Sequence, residues 1–143
     1  MNALVLDASV AAKWYLPSAH EPNADRAMDL FRRYARGECR FLVPDLFWAE
    51  LANILWKSAR VGRISSRSAA LALATMPALG FTTVPSRELL KEAFAIATTF
   101  DRTVYDSLYV ALAVTAQASF VTADEKLANA LAAQVPVRWL GAI

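Results

Sequence analysis

The sequence predicts an α/β domain with a mostly parallel sheet of four or five strands and helices on both faces. Three observations carry that expectation. Short apolar runs alternate with segments of helical periodicity along the whole chain. Two helical segments, running to about Arg60 and from Thr103 to Gln117, are apolar round most of their circumference, as elements packed inside an assembly are. The first strand, Ala3 to Leu6, ends on a carboxylate, Asp7, at the edge where open α/β sheets bind ligands.

With 143 residues the chain is expected to form a single domain, residues 1–143, with a substantial core. Its hydrophobic fraction is 57% against 20% charged residues, which calls for either a thick core or a large partner surface. No stretch reaches the roughly 18 uninterrupted apolar residues of a membrane span. The N-terminus has no basic segment leading into a long apolar one, so no signal peptide is expected.

Cys39 is the only cysteine and His20 the only histidine. An intrachain disulfide is excluded, which fits a cytoplasmic location, and so is a zinc site built from several Cys and His ligands. Nucleophilic catalysis of the Ser-His-Asp or Cys-His kind would have to use His20, in a loop flanked by Pro and Ser. Any metal must therefore take oxygen ligands, which selects magnesium or manganese.

Taken in order, Ala8 to Tyr15 follows the first strand as a short helix stopped by Pro17. Asn23 to Arg36 is amphipathic, with Ala27, Leu30, Phe31 and Tyr34 at helical spacing and Gly37 as its stop. Its polar face carries Arg32, Arg33 and Arg36, with Arg40 beyond, either a solvated face or a contact for RNA. Phe41 to Val43 is a strand closed by Pro44, and Asp45 is placed to cap the next helix. On that helix Glu50, Asn53 and Lys57 form a narrow polar stripe, spanning about 60° at 100° per residue. Ser65 or Ser66 caps a helix through Met76. Phe81 to Val84 is a strand, and Ser86 caps a helix to about Thr99. After the apolar helix from Thr103, Ser119 to Thr122 is a strand. Asp124 opens a helix, and Val137 to Leu140 is the last strand.

Four carboxylates stand out. Asp7 and Asp124 each follow a strand and could equally cap a helix. Asp106 lies in a first turn, where the helix dipole favours an anion, but on a helix too apolar for an unpaired charge. Glu50 has the least structural excuse, since Lys57 is two turns away. Acids gathered at one sheet edge repel, and a divalent cation relieves that. The chain carries 15 Lys+Arg against 13 Asp+Glu, so with the four acids set aside its body is clearly basic, as suits a polyanionic substrate.

These residues resemble a known family. The motifs are Leu6-Asp7-Ala8-Ser9, Ala49-Glu50-Leu51-Ala52-Asn53, the block Tyr105-Asp106-Ser107-Leu108-Tyr109-Val110-Ala111-Leu112-Ala113, and Val121-Thr122-Ala123-Asp124. In that order and at those spacings the chain is similar to PIN-domain proteins, specifically the VapC toxins of toxin–antitoxin pairs, over nearly its whole length. The resemblance implies a PIN-like (Rossmann-like) sheet and an endoribonuclease dependent on Mg2+ or Mn2+. It makes Asp7, Glu50, Asp106 and Asp124 the acidic quartet that holds the metal, with Ser9, Asn53 and Thr122 orienting ligands or water. A metal-activated water would attack an RNA phosphodiester, leaving 5′-phosphate and 3′-hydroxyl ends. It further implies a homodimer and a VapB-like antitoxin whose C-terminal segment lies in an apolar groove. Trp14, Trp48 and Trp56 would then belong to the surplus apolar surface.

Two other readings stand beside it. One is phosphotransfer through an aspartyl phosphate on Asp7, although Ser9 stands where phosphatases of that type place a second Asp. The other is a non-catalytic module that holds RNA or protein.

Overall fold

The computed structural model describes residues 2–143 and builds them round one five-stranded, all-parallel sheet. The strands are β1 (Asn2–Leu6), β2 (Cys39–Pro44), β3 (Thr82–Val84), β4 (Ser119–Thr122) and β5 (Val137–Trp139), in the order β3-β2-β1-β4-β5. The helices are α1 (Ala8–Ala11), α2 (Ala24–Ala35), α3 (Leu46–Arg60), α4 (Ser66–Thr75), α5 (Leu90–Phe100), α6 (Val104–Ala116) and α7 (Glu125–Leu131). Strand order runs outward in both directions from the β1–β4 pair, so that pair is the topological switch point, and the crevice beyond its carboxyl ends is where such sheets bind ligands.

The register explains why. Leu6 pairs with Val121 in the parallel ladder, so the next residues, Asp7 and Thr122, emerge side by side. Val5, Leu6, Val43, Phe120 and Val121 are fully buried between the helical layers. Helix α6 lies along β1, β2 and β4, and α5 packs against α6. Every residue from Ser107 to Ala113 is buried, which accounts for the run of apolar residues that set this helix apart in the sequence.

Several expectations shift. Helix α3 is not enclosed: Phe47, Leu51, Leu55 and Ser58 bury one face, while Asn53, Trp56 and Lys57 are exposed. Asp45 does not cap it. The Asp45 carboxylate instead accepts hydrogen bonds from the backbone N–H and hydroxyl of Ser86, tying the start of α3 to the segment after β3. Ser86 accordingly opens a 3₁₀ turn, and α5 begins only at Leu90. Asn23 enters α2 in the left-handed region, at φ 59°, without a side-chain cap.

Trp14 and Trp48 are not free apolar surface. Trp14 donates to the Ala27 carbonyl and packs on Phe31, Phe41 and Phe81, and Trp48 stacks on Phe81. Trp56 alone of the three is exposed, at 55%. On and just after α2, Arg32 pairs with Asp29 and Arg36 with Glu38 at the surface. Arg40 stands near the start of β2, at the sheet edge opposite the four acids.

Candidate active site

The carboxyl edge of the β1–β4 pair is closed by a chain of local hydrogen bonds. Thr122, fully buried, donates its hydroxyl to Asp7 Oδ2 at 2.7 Å. The same hydroxyl oxygen accepts the Asp124 N–H at 3.1 Å, so its single proton is committed to Asp7. Asp7 Oδ1 accepts the Ser9 N–H at 3.3 Å, and Ser9 Oγ accepts the Ala123 N–H at 3.2 Å. Asp124 Oδ1 caps α7 by accepting the Leu127 N–H at 3.1 Å. The capping and site readings of Asp7 and Asp124 are thus not alternatives: each carboxylate spends one oxygen on a cap.

The helical acids are held differently. Glu50 is half-buried and accepts a hydrogen bond from the Tyr109 phenol. Asp106 is also half-buried; its backbone N–H is taken by the Thr103 cap, and Arg102 is the cation that attracts its carboxylate. A cavity of about 210 Å³ opens between the start of α1 and α3, lined by Asp7, Ala8, Ser9, Glu50, Asn53 and Ile54.

Electrostatics bind these groups into one set. Burial lifts the Asp7 carboxyl above the ordinary carboxylate range, against the hydrogen bonds from Thr122 and Ser9, and the charge of Asp106 adds to the rise. Burial lifts Glu50 as well, with repulsion from Asp7 and Asp106 added and the Tyr109 hydrogen bond opposing. Asp106 is raised by burial and by Asp124, against Arg102. Among the described residues none of the four acids takes part in an ion pair.

The structure therefore brings Asp7, Ser9, Glu50 and Asn53 to one cavity, Thr122 to Asp7, and Asp106 within the field of Asp7 and Glu50. Asp124 reaches the set through its backbone N–H on Thr122 and through its charge on Asp106, and its side chain is otherwise exposed. Among the described residues no three acidic, histidine or cysteine side chains are drawn together as tightly as a metal centre would draw them. The donor set still fits a hard cation: all of its groups are oxygens, three of them raised by burial and mutual repulsion, and none neutralised by an ion pair. Sequence reasoning overlooked two residues here, Arg102 and Tyr109. Tyr109 read as one more apolar position of α6, although it lies three residues beyond Asp106 and so on the same helix face.

Residues 4–131 match the PIN domain family. The chain belongs to that family. It is 36% identical to Ribonuclease VapC3 of Pyrobaculum aerophilum over 134 residues, 92% of this chain and 97% of the relative. In fold it is similar to a crystal structure of a Pyrobaculum aerophilum protein, at TM-score 0.67 and 23% identity over 99% of this chain and 91% of that one. It is likewise similar to a toxin–antitoxin complex from Klebsiella pneumoniae, at TM-score 0.60 and 12% identity over 94% of this chain and 95% of that one. The PIN chain is thus a VapC ribonuclease homologue, and no helix among the described residues is long and apolar enough to cross a membrane.

Proposed function

We propose that this PIN protein is an endoribonuclease that works with Mg2+ or Mn2+ and serves as the toxin of a toxin–antitoxin pair. The observation that carries the reading is the acidic set at the switch point: Asp7, Glu50 and Asp106 line one edge without an ion-pair partner, each raised by burial and by the charge of another of the four acids. Mutually repelling carboxylates kept at a crevice where sheets of this kind bind ligands are stabilised by a divalent cation, and Asp7, Glu50, Asp106 and Asp124 would hold it. When bound, such a cation supplies charge stabilisation for a phosphoryl oxygen and a water acidic enough to attack at neutral pH.

The chain's own residues prepare that chemistry. Thr122 and Ser9 fix the Asp7 carboxylate, and Thr122 also holds the Asp124 backbone. Asn53 borders the cavity beside Glu50, where its amide can orient a water or a phosphate oxygen. Arg102 offsets the negative field on the Asp106 side, where an RNA phosphate must approach four acids. The partners that go with this reading are an RNA substrate, a VapB-like antitoxin and a second copy of the chain, the antitoxin by likeness to the Klebsiella pneumoniae complex. A cytoplasmic location goes with it. Phosphotransfer on Asp7 is the weaker reading, because Ser9 stands where a second Asp would be needed.

The test is incubation of total RNA with the protein in Mg2+, in chelator, and with the Asp106→Asn variant, mapping the cut ends. Metal-dependent cleavage leaving 5′-phosphate ends, absent in the variant, is expected. Equal cleavage in all three arms would overturn the reading.

A further inference from the structure

Tyr109 is a polar side chain that links α6 and α3, the two helices that carry Asp106 and Glu50. It sits on α6, one turn after Asp106, and is 2% exposed. Its ring stacks on Phe120 of β4, with centroids 5.1 Å apart and planes 15° from parallel, so the phenol cannot swing. Its hydroxyl meets Glu50 Oε1 of α3 at 2.5 Å.

A phenol has one proton. That proton goes to Glu50 Oε1, because an ionised carboxylate can only accept. Glu50 has no other hydrogen bond among the described residues, and its flanking positions Leu51 and Ile54 offer none. A glutamate has three rotatable side-chain bonds, and holding one oxygen on a fixed donor leaves the other free to face the cavity it shares with Asp7.

We infer that Tyr109 is a positioning residue for the cation: its buried hydroxyl holds Glu50 so that the carboxylate is presented beside Asp7. The inference rests on the reading of the four acids as cation ligands. Partners of this kind, which touch a ligand rather than the ion, set affinity by orientation, and their removal weakens binding by about 10-fold to 100-fold.

The test is Mn2+ binding followed by electron paramagnetic resonance, without RNA, on the full chain and on Tyr109→Phe, Glu50→Gln and the double variant. Tyr109→Phe keeps the ring and its stacking, and circular dichroism checks that the fold is kept. Expected is a loss of affinity of about 10-fold or more in Tyr109→Phe, and no further loss when it is added to Glu50→Gln. A hydroxyl that merely satisfies a buried acid would lower the melting temperature in chelator and leave Mn2+ affinity unchanged. That result overturns the inference, as does a Tyr109→Phe loss undiminished in the Glu50→Gln background. If the unaltered chain binds no Mn2+, the cation reading and this inference fall together; if it binds and Tyr109→Phe binds equally, only the inference falls.

Discussion

The two acids at the sheet edge and the two on helices are held in opposite ways. Asp7 and Asp124 stand inside a closed set of short-range hydrogen bonds, in which a strand end, a helix cap and the Thr122 hydroxyl support one another. Glu50 and Asp106 have little such support, with Tyr109 holding one and Arg102 attracting the other. The difference separates structure from function at a single edge. An acid that caps a helix contributes stability as well as charge, whereas an acid held half-buried on an apolar helix costs stability until something neutralises it.

The largest expected effect breaks the two halves apart by substitution. Asp7→Asn and Asp106→Asn should both reduce RNA cleavage to the level of a protein-free control while keeping the fold. Their melting temperatures in chelator should diverge. Asp106→Asn removes a repelled charge and should melt at or above the unaltered chain. Asp7→Asn turns one acceptor into a donor facing Thr122 or Ser9, and should melt below Asp106→Asn. Equal melting temperatures would show that the hydrogen-bonded half has no structural share.

Next in size is Thr122→Val, which keeps the shape and removes the hydroxyl that serves both Asp7 and Asp124. Leaving Asp7 Oδ2 and the Asp124 N–H without this partner costs about 1–3 kcal/mol, read by urea denaturation. Cleavage should fall by about 10-fold or more, as on losing a residue that orients a ligand.

A third measurement sharpens the comparison through pH. The folded-state carboxyl groups of Asp7, Glu50 and Asp106 are raised, so the folded metal-free chain binds more protons than the unfolded one across the interval between their unfolded and folded values. Stability from these groups therefore falls as pH rises through that interval, and the penalty is complete above the raised values. Glu21 works the other way. Its carboxyl is lowered by Arg63 and Lys13 against the effect of burial, so its contribution is lost as pH falls through its folded value. Comparing Asp106→Asn with the unaltered chain isolates the acidic set: the melting-temperature advantage of the variant in chelator should grow from pH 4 to pH 7. A gap that stays constant would mean that the Asp106 carboxyl is not raised in the folded chain.

The smallest expected effect concerns Arg102. Arg102→Ala should change stability by about 0–1 kcal/mol, as for a lone partly exposed charge. It should reduce cleavage a few-fold at low salt and less at high salt, as electrostatic steering of a polyanion requires.

Much of the acidic half-circle was legible in the sequence, and unevenly so. Asp7 and Asp124 could be placed at one sheet edge because parallel strands share their carboxyl ends. Glu50 and Asp106 stood out because a charge on an apolar helix needs a reason. Asp45 misled, because a residue that looks like a cap competes with any donor the fold brings near, here Ser86, 41 residues away. Trp14 and Trp48 misled in the same sense: as sequence they are large apolar side chains, and only the packing round Phe81 makes them core.

By itself, then, the sequence determined the alternation of strand and helix, the parallel sheet that alternation requires, the motif order of the PIN family and the positions of four carboxylates. Those depend on periodicity and spacing along the chain. The tertiary structure alone decided which oxygen each carboxylate spends on a cap, that Thr122 stands beside Asp7, and that Tyr109 reaches Glu50 across 59 residues of sequence. Such partners are chosen by the β3-β2-β1-β4-β5 order, which sets distant segments side by side, and no local pattern encodes which of them will meet.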